Sequence, residues 1–215
     1  MATDEELAIP ADGNLLSATL TLPEGARGLV VFAHGSGSSR HSPRNVHVAR
    51  ILQQAGFGTL LFDLLTGEEE RADAVDGHLR FDIDLLSRRL DAAVDTVGDQ
   101  PRLADRPIGL FGASTGAAAA LTTAARRPTV VRSVVSRGGR PDLAGPALPD
   151  VRAAVLLIVG GRDQVVLDLN RDAARQLTAQ YELSIVAGAT HLFPEPGALD
   201  EVARLATAWF VRTMT

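Results

Sequence analysis

Three residues, far apart along the chain, could together cleave an acyl bond. Ser114 sits in Gly112-Ala113-Ser114-Thr115-Gly116, directly after the apolar run Ile108-Gly109-Leu110-Phe111. The pattern G-x-S-x-G at a strand-to-helix junction is the context in which a sharp, strained turn lifts a serine Oγ clear of a sheet. A serine hydroxyl alone is a poor nucleophile at neutral pH and needs an adjacent base, itself oriented by a third group. Asp163 follows the apolar stretch 154–159 through Gly160-Gly161-Arg162, and His191 follows the stretch 183–186 through Gly188-Ala189-Thr190. Each thus falls just beyond the carboxyl end of a candidate strand, where the loops of an open parallel sheet converge. Asp168 is the rival carboxylate, and its alternative role is as N-cap of a helix starting near Leu169. For Ser114 the structural alternative is likewise a helix N-cap.

The elements needed to position these residues are legible in the hydrophobic pattern. Residues 7–10 and 15–22 flank Asp12-Gly13, a tight-turn signal, and read as a hairpin. Apolar stretches at 29–33, 59–62, 108–111, 133–135, 154–159 and 183–186 are continuous rather than alternating. That suits parallel strands covered on both faces. Between them, Val48, Ile51, Leu52 and Ala55 recur at helical spacing, as do Leu86, Leu90, Ala93, Val94 and Val97. Leu169, Ala173 and Leu177 form another such set, and Leu199, Val202, Leu205, Ala206, Trp209 and Phe210 mark a final amphipathic helix. The expectation is one α/β domain over residues 1–215, a doubly wound and mostly parallel sheet of about eight strands with helices on both faces.

Composition narrows the chemistry. The 215 residues carry a net charge of −5, with 46% hydrophobic and 22% charged residues. A small negative net charge argues against a nucleic-acid binder. There is no cysteine, so a thiol nucleophile and thiolate metal sites are excluded. There is also no lysine, which removes Schiff-base chemistry and the lysine of a P-loop. No histidine pair has metal-binding helical spacing, so neither metal nor cofactor is expected. The acidic start, Met1-Ala2-Thr3-Asp4-Glu5-Glu6, lacks a secretory signal, and no apolar run reaches spanning length. A cytoplasmic location and no membrane partner are the expectations.

One further loop completes the pattern. His34-Gly35-Ser36-Gly37-Ser38-Ser39 follows the stretch 29–33, where small residues would let a backbone N–H approach a developing oxyanion. With the order Ser114, Asp163, His191, the chain resembles the α/β-hydrolases, specifically the small dienelactone hydrolase-like group. The resemblance implies Ser114 as nucleophile, His191 as general base and then acid, and Asp163 as the group that orients the imidazole. It also implies the backbone N–H groups of Ser36 and Thr115 as oxyanion donors. Dienelactone hydrolases proper carry a cysteine at the place of Ser114, so ordinary ester hydrolysis is the expected activity, on a small-molecule substrate. Acyl transfer or perhydrolysis on the same residues, dienelactone-type lactone hydrolysis, and a non-catalytic binding role are the alternatives.

Other polar residues have simpler roles or weaker claims. His34 is expected to bond local backbone, and Glu68-Glu69-Glu70 to form a solvated loop. Arg137 and Arg140, after the stretch 133–135, lie on the face where the loops meet and could hold a substrate carboxylate, or could pair with Asp142. Arg40 and Arg44, beside the 34–39 loop, have a similar but weaker claim. Only a short segment separates Val135 from Ala154, leaving no room for a substantial cap, so an open site suited to small or exposed acyl groups is expected. Nothing in the sequence fixes the oligomeric state.

Overall fold

The computed structural model describes residues 3–103 and 105–214. A single eight-stranded sheet has the order β1-β2-β4-β3-β5-β6-β7-β8. β1 (Thr3–Ala11) and β2 (Asn14–Leu22) form the hairpin, closed at Asp12 and Gly13, whose φ values of 49° and 77° are those a two-residue turn of this hand requires. β2 is antiparallel to β4 (Gly58–Phe62); from there the sheet is parallel through β3 (Leu29–Ala33), β5 (Ile108–Ala113), β6 (Val131–Arg137), β7 (Ala154–Gly160) and β8 (Tyr181–Val186). The expected strand segments are all present, most of them extended by one to four residues.

Strand side chains alternate between two cores, one on each face. Leu29, Val31 and Leu110 point into a core shared with α3 (Ile83–Gly98) and α4 (Thr115–Arg126). Val30, Phe32 and Phe111 point the other way, into a core with α1 (Pro43–Gln54) and α6 (Ala198–Thr213). Both faces of the central strands are therefore dry, which is why they read as unbroken apolar runs. The run Ala117-Ala118-Ala119-Ala120 of α4 is fully buried, its small side chains letting this helix lie close to the sheet.

Two sequence expectations are overturned. Glu68, Glu69 and Glu70 do not form a loop; they make the first turn of α2 (Gly67–Asp76). Thr66 and Glu69 close a reciprocal capping box, and three acids at the positive end of a helix are favourable. Asp168 does not cap a helix, because α5 (Gln164–Ala174) starts one turn earlier, directly after Asp163. Asp168 is exposed on that helix and pairs with Arg171 at 3.0 Å.

Between β6 and β7 lie only two 3-10 turns within Pro141–Asp150, kinked at Gly145, and no cap is built there. A wall is raised instead by α2 and the 3-10 turn Leu79–Phe81 between β4 and α3. Arg89, 1% exposed, holds that wall to the body: its guanidinium donates to both Glu69 carboxylate oxygens, at 2.6 and 2.5 Å, and to the Leu64 carbonyl at 2.7 Å. Asp73 and Arg80 tie α2 to the following turn.

Candidate active site

Ser114 occupies the turn between β5 and α4 with φ 51° and ψ −122°, a conformation that costs an L-residue of order 1–3 kcal/mol. The neighbours fix it there. Its N–H donates to the Arg137 carbonyl at 3.3 Å, and its own carbonyl accepts from the N–H groups of Arg140 and Ala117, both at 3.1 Å. A Cβ on Gly112 would collide with the backbone of Ala117, and one on Gly116 with the carbonyls of Ala33 and His34. Both glycines of the motif are therefore required by close approach, one of strand to helix and the other of helix to the neighbouring β3 end.

The loop after β3 passes directly over the serine. A Cβ on Gly35 would lie 3.0 Å from the Ser114 Cβ, so the loop can come this near only with glycine there. His34 anchors the loop from beneath: its Nε2 accepts from the Leu64 N–H at 3.0 Å, which leaves Nδ1 as the protonated nitrogen facing the Gly35 carbonyl, also at 3.0 Å. Burial pushes the His34 imidazole below its ordinary value, so it is the neutral ring that the loop is built around. Thr115 is the first residue of α4, and the N–H of a first helical residue has no acceptor within the helix. The hydroxyls of Ser36 and Thr115 lie 3.2 Å apart, bringing the two residues implied as oxyanion donors side by side.

His191 is carried by the loop after β8. Its Nδ1 donates to Asp163 Oδ2 at 2.6 Å, with the carboxylate mostly buried and the ring more open. Asp163 occupies the N-cap position of α5 yet makes no side-chain cap bond, so its carboxylate is turned away from the helix and toward the imidazole. The two loops lock together through Arg162 N–H to the Ala189 carbonyl at 2.9 Å and Gly161 N–H to the Val186 carbonyl at 2.9 Å. Within the histidine loop, Glu195 Oε1 accepts from both the N–H and the hydroxyl of Thr190, at 3.0 and 2.7 Å. Phe193, buried and at φ 56°, pins the same loop to the core despite a backbone conformation that bulky residues avoid.

Ser114 and His191 line one cavity of about 230 Å³, together with Gly35, Ser36, Arg44 and Arg137. A second cavity of about 460 Å³ adjoins it across the 35–38 loop and Thr115, with Leu64, Leu65 and Leu86 at its apolar side and α2 along its edge. The groove is therefore deeper on this side than the sequence suggests, because the α2 wall is encoded by a segment that looks like a charged loop. The four arginines separate cleanly. Arg140 is engaged by Asp142, at 2.9 and 2.7 Å, and Arg40 by Asp63 and Glu6. Arg137 and Arg44 reach the cavity.

A sequence reading misses several residues that support the site. Glu69 carried a usable signal, the Thr-x-x-Glu capping box; Glu195, Phe193 and buried Asn45 carried none, since their roles arise from contacts across the fold.

An eight-stranded sheet of this order, with a strained serine elbow and a histidine–carboxylate pair at its carboxyl edge, is that of the α/β-hydrolase fold. The sequence profile of the Dienelactone hydrolase family matches residues 16–214, and the chain belongs to that family. A crystal structure of a dienelactone hydrolase from Anabaena variabilis is 52% identical, covering 100% of this chain and 99% of that one, with a TM-score of 0.97. A cold-adapted esterase from an Arctic intertidal metagenomic library shares the fold at 17% identity, with a TM-score of 0.79 over 100% of this chain and 95% of that one. A Mycobacterium tuberculosis protein named "putative phosphoribosyl transferase" is 57% identical over 208 residues, 97% of this chain but 46% of the relative. The chain thus spans about half the length of the curated relatives it matches.

Proposed function

We propose that this protein hydrolyses carboxylic esters through an acyl-serine intermediate. The observation that carries the reading is the meeting, in one cavity, of a serine held at φ 51° and a histidine whose other ring nitrogen is bound to a buried carboxylate. With Nδ1–H committed to Asp163, the lone pair of His191 Nε2 is the one free to accept a proton. Ser114 Oγ attacks the ester carbonyl as that proton passes to Nε2, and the negative charge gathers on the carbonyl oxygen. The N–H groups of Ser36 and Thr115 receive it, and Asp163 stabilises the imidazolium formed. His191 returns the proton to the departing alkoxide. Water, activated by the same nitrogen, then releases the acid and restores Ser114.

The transferase name of the longer relatives does not suit this site. Phosphoribosyl transfer displaces pyrophosphate from a sugar carbon and has no use for an activated serine, whereas acyl chemistry needs one. That name belongs to proteins of which this chain spans 46%, and the ester chemistry is proposed for this chain alone. The test is turnover of a p-nitrophenyl ester series from acetate to palmitate. Short acyl groups are expected to react best, since no cap encloses a long chain; the absence of turnover across the whole series would overturn the reading.

A further inference from the structure

Two buried arginines meet opposite fates in this fold. Arg89, beneath α2, has its charge paired by Glu69 and also donates to a backbone carbonyl, although its Nε, like that of Arg137, has no acceptor. Arg137, at the end of β6 and 5% exposed, has no carboxylate partner among the described residues. Its one side-chain hydrogen bond goes from Nη2 to the Asn45 Oδ1 at 3.3 Å, and its Nε is buried without an acceptor. A guanidinium carries five donors, and leaving a buried cation unpaired is costly. Burial, with the nearby charge of Arg44, lowers Arg137 to about 10, which still leaves it charged at neutral pH.

Arg44 adds a second positive charge at the same place. It lies in the first turn of α1, its Nε is also buried without an acceptor, and it pairs with no acid among the described residues. That first turn holds no acidic residue, so the positive end of a 12-residue helix remains unopposed beside it. Both arginines line the cavity that holds Ser114 and His191, and that lining contains no aspartate or glutamate. The hydroxyl-bearing residues Ser36 and Ser38 complete the wall.

Resting on the esterase reading, we infer that this cavity is an anion subsite and that the ester substrate carries a phosphate monoester group, held between Arg137 and Arg44. The charge count selects the dianion: a carboxylate would offset one of the two arginines and leave the other unpaired, while a phosphate monoester offsets both. Its oxygens also match the guanidinium fork in pairs. The other half of the substrate then falls across the 35–38 loop, into the larger cavity that Leu64, Leu65 and Leu86 line together with Glu70, Asp73 and Arg80. The scissile carbonyl lies between the two halves, over Ser114.

Calorimetric titration of the full chain with inorganic phosphate at pH 8, and separately with acetate, tests the subsite without any turnover. Phosphate should bind at least tenfold more tightly than acetate. Arg137→Met and Arg44→Gln should each weaken phosphate tenfold or more, while Arg50→Gln, exposed on the same helix, should not. Arg44→Gln, on a half-buried first turn, keeps the test decisive if Arg137→Met does not fold. In kinetics, p-nitrophenyl 3-phosphooxypropanoate should exceed p-nitrophenyl propanoate in kcat/KM by tenfold or more, and Arg44→Gln should erase that preference. Phosphate that does not bind, binds the arginine variants as well as the wild type, or is matched by acetate would overturn the inference. Arginine-dependent phosphate binding without turnover of either ester would leave the subsite standing and remove the esterase reading instead.

Discussion

Replacing Asp163 with asparagine isolates what the carboxylate contributes, because the side chain keeps its size while losing its charge. In the wild type, Asp163 Oδ2 lies 2.6 Å from His191 Nδ1, so the positive charge that develops on the ring during attack is centred roughly 4 Å from the carboxylate. At that separation and an effective dielectric constant of about 20, the attraction is about 4 kcal/mol. Each ~1.4 kcal/mol is a factor of ten in rate, so Asp163→Asn should lower kcat/KM about a thousandfold. The Asp163 side chain is 15% exposed but that of His191 is 39% exposed, and water on the histidine side screens part of the attraction. The loss should nevertheless not fall below about a hundredfold. Steady-state hydrolysis of p-nitrophenyl acetate measures it, with Asp168→Asn as the comparison. Asp168 is exposed on α5 and bonded to Arg171, so its replacement should change kcat/KM less than threefold. A loss below about a hundredfold for Asp163→Asn, or an equal loss for Asp168→Asn, would refute the assignment of the carboxylate.

Three other perturbations probe the scaffold. Ser114→Gly should abolish turnover yet stabilise the fold by about 1 kcal/mol in urea denaturation, because glycine adopts φ 51° without strain; an unchanged or lower stability would contradict the strained elbow. His34 has its imidazole depressed by burial from the ordinary 6.5, so the unfolded chain takes up a proton that the folded chain resists. Stability should therefore fall as pH drops below about 6.5, and His34→Gln should flatten that limb of the urea midpoint against pH. Glu69 is held below its ordinary carboxyl range chiefly by the hydrogen bond from Arg89, so Glu69→Gln should cost about 1–3 kcal/mol at pH 7. The difference should shrink at pH 3, as the wild-type carboxylate is protonated through its depressed folded value, and a gap of the same size at both pH values would show that the pair contributes no pH-linked stability.

What could be read from the sequence followed from local rules, and what could not depended on distant contacts. The strands announced themselves because both faces are buried, so Leu29-Val30-Val31-Phe32-Ala33 has no polar alternation to confuse it. The serine elbow was legible because close backbone approach leaves glycine as the one residue that fits at 112 and 116. The start of α5 is not legible, since Gln164-Val165-Val166 has no strong cap signal and the residue in the cap position, Asp163, bonds His191 instead. α2 does not read as a helix because its apolar content is low; what stabilises it is a capping box and the pairing of Glu69 with the buried Arg89, 20 residues away. The sequence ranks Arg137 and Arg140 above Arg40 and Arg44 as substrate contacts, and only the fold decides that Arg140 and Arg40 find acids while Arg137 and Arg44, among the described residues, do not.

The central claim is that Ser114 is an activated nucleophile, and a fluorophosphonate probe tests it before any natural substrate is known. Intact mass after labelling, followed by peptide mapping, reports how many serines react and which. The chemistry requires a single adduct on Ser114, absent in Ser114→Ala and slowed at least a hundredfold in His191→Ala. Absence of any adduct, or an adduct confined to Ser36, Ser38 or Ser39, would contradict it.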